Sequence, residues 1–202
     1  MAARPQPRYL PVSGQAPHER GDAARNRNLL LDAARRLIAE RGAEAVTTDD
    51  IVAAAGVGKG TLFRRFGNRA GLMMELLDED EKAFQQEIMF GPPPLGPGAP
   101  ALERLLAYGR RRLDFVVAHR ALMADVNRDP YARFNAPARV QHRHVSVLLA
   151  EAGTTGDVDA QASALLALLD VHYVHHQLTE NGHTVQSLGD AWESVARKLC
   201  GT

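Results

Sequence analysis

Apolar positions recur along this chain at the three- and four-residue spacing of helices. Leu30, Ala33, Ala34, Leu37 and Ile38 stand at i, i+3, i+4, i+7 and i+8 and make one stripe, while Arg35, Arg36, Glu40 and Arg41 fall on the other side. Gly42 follows as a stop, because it takes positive φ without steric cost. Thr47 opens a second helix. Asp50, three residues on, completes a capping box in which Asp replaces the usual Glu, and Asp49 adds a second negative charge to the first turn. Ile51, Ala54 and Ala55 are expected to pack inward. Gly56 and Val57 read as a turn, with Gly56 in the left-handed region and Val57 plugging the space between helices. A third helix begins near Gly58. Leu62 and Phe66, at i and i+4, point to the core and leave Lys59, Gly60, Thr61, Phe63, Arg64 and Arg65 outside.

The pattern continues past this point. Leu72, Met73, Leu76, Leu77, Phe84 and Ile88 predict a helix over residues 69–90, stopped by the proline- and glycine-rich run 91–100. Further helices are expected at 102–118, at 121–126, at 135–152 with Pro137 in the first turn, from Asp157 or Asp159 to Asn181 closing on Gly182, and at 185–199. No repeat and no strand pattern emerges, so the expected fold class is all-α.

The chemistry sits on the third helix. In a helix-turn-helix, the N-terminal part of the second helix of the pair touches base edges in the major groove. Here that part is Lys59, Gly60 and Thr61, and Gly60 has no side chain to hold the helix off the groove floor. Arg64 reaches guanine edges or phosphates. Arg65 and Arg69 suit phosphates, as does Thr47 at a helix N-terminus. A solvated face is the competing reading of any single basic helix. The formal net charge of zero argues against a nucleic-acid binder until its distribution is considered. Residues 1–71 hold 12 Lys and Arg against 7 Asp and Glu, and the remainder holds 12 against 17. A basic front and an acidic back suit a protein that meets DNA at one end.

Taken together, Ala33, Ala34, Gly42, Thr47, Ile51, Ala54, Ala55, Gly56, Val57, Gly60, Thr61, Leu62, Phe63, Phe66, Arg69 and Leu72 resemble, without gaps, the DNA-binding domain of TetR-type transcriptional regulators. The resemblance covers about the first third of the folded chain. It implies an N-terminal three-helix helix-turn-helix domain followed by a C-terminal helical ligand-binding and dimerisation bundle. It also implies that Thr47, Lys59, Gly60, Thr61, Phe63, Arg64, Arg65 and Arg69 face DNA. Phe63 stands where the family usually has Tyr, which removes a phenol-to-phosphate hydrogen bond. Arg65 replaces a usual His and Arg69 a usual Lys, so positive charge is kept or increased. Gly58 replaces a common Ser and removes a cap.

On this basis the domains are expected as a disordered tail at 1–24, a DNA-binding domain at 25–71 and a ligand-binding and dimerisation domain at 72–202. The last two helices are the expected homodimer surface, through Leu165, Leu169, His172, His176, Leu188, Trp192 and Val195, unless these stripes bury themselves in their own core. Leu168, Tyr173, Ala191 and Leu199 lie beside them. An effector pocket is expected inside the bundle, with Tyr108, Phe115, His119, Met123 and Tyr173 offering aromatic area and a few polar tips. His172 and His176 have the i, i+4 spacing of a chelate. Asp170 and Glu180 are not aimed at the same point and no Cys joins them, so no metal is assigned. His172, His175 and His176 are given packing and hydrogen-bonding roles instead.

Other features narrow the function. Cys200 is the sole cysteine, which excludes an intrachain disulfide and fits a reducing cytoplasm. No apolar run approaches bilayer length and the N-terminus lacks a signal peptide's apolar core. Arg20, Arg25 and Arg27 are close enough to the first helix to reach DNA, although a solvated tail is the simpler reading. No Ser-His-Asp, Cys-His or paired-carboxylate spacing suggests an enzyme, and no cofactor is implied. The expected function is a ligand-responsive DNA-binding transcriptional regulator, a repressor released from a palindromic operator on double-stranded DNA by an unidentified small molecule. The alternatives are a helical protein-interaction module and an activator.

Overall fold

The computed structural model describes residues 17–126 and 136–201. Among these it contains nine α-helices and no strand: α1 (Pro17–Arg41), α2 (Thr48–Ala55), α3 (Lys59–Phe66), α4 (Arg69–Phe90), α5 (Ala101–Val126), α6 (Ala136–Glu151), α7 (Val158–Ala167), α8 (Val171–Thr179) and α9 (Val185–Leu199). The fold class is all-α, as the apolar spacing implies. The chain divides into two compact units, Met1–Gly67 and Asn68–Thr202.

In the first unit α1 packs on α2 and α3, and α2 packs on α3. Leu30, Leu31, Ala33, Ala34 and Leu37 from α1, Val46, Ile51 from α2 and Leu62 from α3 are buried. A short 3-10 turn at Ala43–Ala45, not anticipated from the sequence, joins α1 to α2. Three expected inward positions differ. Ala54 is exposed, and Ala55 and Phe66 are only half-buried. In an eight-residue helix, one buried Ile at mid-turn occupies the narrow contact and turns its Ala neighbour outward. Helix α1 also begins at Pro17, so residues 17–24 are helical where disorder was expected, and Arg25 and Arg27 belong to a helix rather than to a loose arm. The rest of the expected tail, 1–16, lies outside the described residues.

In the second unit α5 is the hub, packing against α4, α6, α8 and α9, while α7 packs on α6 and α9. Glycine permits the closest approach. A Cβ added at Gly109 of α5 would stand 2.2 Å from the Trp192 ring of α9. The same indole is anchored by its Nε1, which donates to the Leu165 carbonyl at 3.0 Å. Two expected boundaries fail. The helices expected at 102–118 and 121–126 are one continuous α5, because nothing between them breaks a helix and His119 ties the middle down by a 2.8 Å contact to the Phe115 carbonyl. The single helix expected from Asp157 or Asp159 to Asn181 is instead α7 and α8. Asp170 accepts from the His172 and Tyr173 amides at 3.0 and 3.2 Å and so starts a new helix, a local competition that apolar periodicity does not register. The expected start at Asn135 lies outside the described residues.

Candidate nucleic-acid interface

The helix-turn-helix is built by local rules. Thr47 has extended backbone and accepts from the Asp50 amide at 3.1 Å, while Asp50 Oδ2 accepts from the Thr47 amide at 3.0 Å and from the Thr47 hydroxyl at 2.7 Å. This is the reciprocal box anticipated from the sequence. The Thr47 hydroxyl, then the Thr47 amide, and finally the charge of Arg41 hold the Asp50 carboxyl below its ordinary range. Gly56 ends α2 at φ 65° and ψ 29°, the left-handed conformation the turn requires.

Helix α3 follows with no side-chain cap at Gly58. Leu62 anchors it in the core of the first unit. Lys59, Gly60, Phe63, Arg64 and Arg65 are exposed and Thr61 is half-buried. Phe63, a large apolar ring, leaves 42% of its surface in solvent. Arg64 and Arg65 make no ion pair among the described residues, so two cations stand free on the outer face. Lys59 does have a partner, because its Nζ lies 2.6 Å from Asp49 Oδ1 on α2. Gly60 is informative in another way. A Cβ placed there meets nothing within 4 Å, and its φ is not positive. Among the described residues no contact or conformation requires glycine at that site. Arg69 opens α4 in the second unit and is half-buried.

The residues of the second unit that the sequence suggests for an effector pocket divide. Tyr108 and Phe115 are fully buried around Phe84, at ring-centroid distances of 5.8 and 5.7 Å. His119 stacks on Phe115 at 4.2 Å and its Nε2 lies 2.9 Å from Asp80 Oδ2. Met123 packs against the same core. Tyr173 does not join them. It is exposed on α8, on the side opposite the buried Val171 and Val174, so its assignment to the pocket is corrected.

Beside this aromatic set lies a polar cluster that the sequence reading missed. Glu81 Oε2 accepts from Arg112 at 2.7 Å, Glu81 Oε1 accepts from Gln141 Nε2 at 2.5 Å, and all three side chains are buried. Arg112 also lies over the Phe115 ring at 4.8 Å. The signal was present: Glu81 falls on the apolar stripe of Leu77, Phe84 and Ile88, and Arg112 on that of Leu105, Tyr108 and Phe115. His144 is half-buried 5.4 Å from the Tyr108 ring, and its Nε2 has no partner. Burial, and secondarily the charge of Arg104, push its pKa down to about 4. Burial raises the Tyr108 hydroxyl well above its ordinary range.

The expected dimer residues also divide. Leu165, Leu169, Leu188 and Trp192 are buried in the core of their own chain, which corrects their assignment to a surface. Leu165 lies on α7, which packs on α6 and α9, and Leu188 and Trp192 lie on α9, which packs on α5 and α7. His172, His176 and Val195 are exposed, together with Tyr173 and Ala191. Among the described residues no group of three or more His, Cys, Asp or Glu converges as a metal site, and no helix is long and apolar enough to cross a membrane.

A helical bundle carrying a capped helix, a left-handed glycine turn and an outward cationic helix defines a helix-turn-helix fold. Comparison with known proteins narrows the class. Residues 30–76 match the family described as bacterial regulatory proteins, tetR family. The HTH-type transcriptional regulator YvkB of Bacillus subtilis (strain 168) is 42% identical over 50 residues, which are 25% of this chain and 26% of that protein. The match therefore spans about a quarter of that relative's length. Solved structures extend the likeness to the whole fold. A TetR-family regulator from Streptomyces coelicolor has a TM-score of 0.61 at 21% identity, covering 93% of this chain and 98% of its own. A transcriptional regulator from Saccharomonospora viridis in complex with choline has a TM-score of 0.64 at 20% identity, covering 85% and 95%. The fatty acid degradation regulator FadR from Bacillus halodurans has a TM-score of 0.61 at 16% identity, covering 91% and 96%. The helix-turn-helix segment thus matches the tetR family over residues 30–76, and the chain as a whole shares the fold of solved TetR-family regulators.

Proposed function

We propose that this chain is a ligand-responsive repressor that binds a near-palindromic operator as a homodimer and is released by a small molecule held in its second unit. The observation that carries the reading is the outer face of α3. Lys59, Gly60, Phe63, Arg64 and Arg65 are exposed on a helix pinned by Leu62, and Gly60 leaves open space that no described residue fills. A helix backbone bare on one side, flanked by cations, suits close approach to a groove floor. Thr47, Thr61 and Arg69 complete the DNA-facing set as phosphate and base-edge donors.

The homodimer is proposed through the exposed His172, His176 and Val195 of α8 and α9. Two recognition helices roughly 34 Å apart then read two half-sites on one DNA face. The effector is proposed to enter beside Tyr108, Phe115, His119 and Met123. There the Glu81, Arg112 and Gln141 cluster ties α4 to α5 and α6, and His119 ties α4 to α5 through Asp80. A ligand that bound better to a displaced α4 would shift the population away from the DNA-binding arrangement. Two structural neighbours, one solved in complex with choline and one a fatty acid degradation regulator, support a small-molecule effector.

Salt dependence tests the reading. With two to three phosphates neutralised per protomer, the log–log plot of affinity for an enriched duplex against salt should have a slope of roughly −4 to −5. A slope near zero contradicts the proposal.

A further inference from the structure

The cation best placed for base contact is already engaged. Lys59 Nζ lies 2.6 Å from Asp49 Oδ1, across the turn between α2 and α3, and both side chains are more than half exposed. An exposed pair of this kind adds little to stability. Its geometry constrains Lys59 instead. An ammonium has three N–H donors. With one spent on Asp49, two remain for acceptors such as guanine O6 and N7, and the long side chain is held to one direction rather than sweeping the surface. A phosphate makes the opposite demand. Drawing Lys59 to a backbone phosphate either breaks the pair or brings the Asp49 carboxylate beside a second anion.

We infer that Asp49 is a specificity-determining positioning residue, which holds Lys59 for base edges and opposes its use on phosphate. This rests on the proposed DNA-binding function. It predicts that the two helices of the motif act together. Asp49 on α2 touches no base, yet it sets how much of the affinity of α3 depends on sequence.

The test compares wild type, Asp49→Asn and Asp49→Glu by fluorescence anisotropy. One probe is the duplex that wild type enriches from a random-sequence pool, and the other is a scrambled duplex of equal length. Each is titrated over a range of salt concentrations. Asp49→Asn should bind the scrambled duplex more tightly, with its salt slope steeper by about one for each recognition helix engaged. The ratio of the two affinities should fall at least roughly fivefold, the scale of one directed base contact. Asp49→Glu, which keeps the carboxylate, should retain most of that ratio. In a Lys59→Ala background Asp49→Asn should leave the ratio unchanged.

Equal changes on both duplexes overturn the inference, as does an unaltered scrambled-duplex slope or a fall in the ratio that persists without Lys59. A wild type that binds neither duplex removes the DNA-binding reading itself. A wild type that discriminates no better than Asp49→Asn removes only the role of Asp49. Matching thermal unfolding of the variants separates either outcome from misfolding.

Discussion

Substituting Gly60 with Ala separates stability from function. Glycine inside a helix costs about 0.8–1.0 kcal/mol relative to alanine, because more backbone freedom is lost on folding. Gly60 lies in the first turn of α3, so about 0.5 kcal/mol is a fair share of that cost. Among the described residues nothing offsets the gain, since an added Cβ meets no atom within 4 Å and the backbone is not left-handed. Alanine should therefore stabilise the first unit and raise its unfolding midpoint by roughly 2–4 °C if it melts as a small domain. On the proposed function the same methyl projects into the space that DNA would occupy. Holding α3 off the groove floor forfeits at least one directed base contact, about 1–3 kcal/mol, or roughly 5- to 150-fold in affinity. The assays are thermal denaturation by circular dichroism and anisotropy with the enriched duplex. A variant that is more stable and binds DNA as tightly as wild type refutes the reasoning about the bare helix face. A destabilised variant refutes the claim that Gly60 has no structural task.

Two further predictions concern the second unit. Replacing Glu81 with Ala leaves the Arg112 guanidinium, whose side chain is 9% exposed, without its carboxylate. That should cost about 3–5 kcal/mol in urea unfolding, and a loss under about 1 kcal/mol would show the cluster to be well solvated. His144 makes stability pH-dependent. Its pKa is about 4 in the folded chain against 6.5 for the free side chain, so the unfolded chain takes up the proton first as pH falls. The stability is full above pH 6.5, is lost between pH 6.5 and 4, and changes no further below that. The loss should be about 2 kcal/mol once the partial exposure of the ring is allowed for. His144→Phe keeps the ring and should abolish this component, so an unchanged pH profile in that variant would contradict the assignment.

What the sequence disclosed follows from the range of the interactions involved. The Thr47–Asp50 box spans three residues, and the left-handed Gly56 answers a steric demand of its own turn, so both were legible. The limits of α4 and α9 were legible too, because strong breakers flank apolar stripes. The break between α7 and α8 was not. Leu165, Leu166, Leu168 and Leu169 continue a helical pattern through it, and the deciding event is one carboxylate, Asp170, competing for two amides. Nor does periodicity distinguish an apolar stripe that meets a partner chain from one that meets its own. Trp192 was resolved only by its hydrogen bond to Leu165 and the gap that Gly109 leaves for its ring. The Glu81 cluster joins residues 31 and 60 positions apart, beyond any local pattern. Charges interrupting apolar stripes on α4 and α5 are its one trace in the sequence.

Helix α3 is the surface proposed to meet the duplex. The most direct measurement is the affinity of a Lys59→Ala, Arg64→Ala double variant for the wild-type-enriched duplex, alongside its helical content and sedimentation. Both side chains are exposed, so helix content and assembly state should match wild type. Binding should drop by about 2–5 kcal/mol, on the order of 30-fold or more, as base-edge and phosphate contacts are lost from both protomers. A folded double variant that binds the duplex as tightly as wild type would contradict the account.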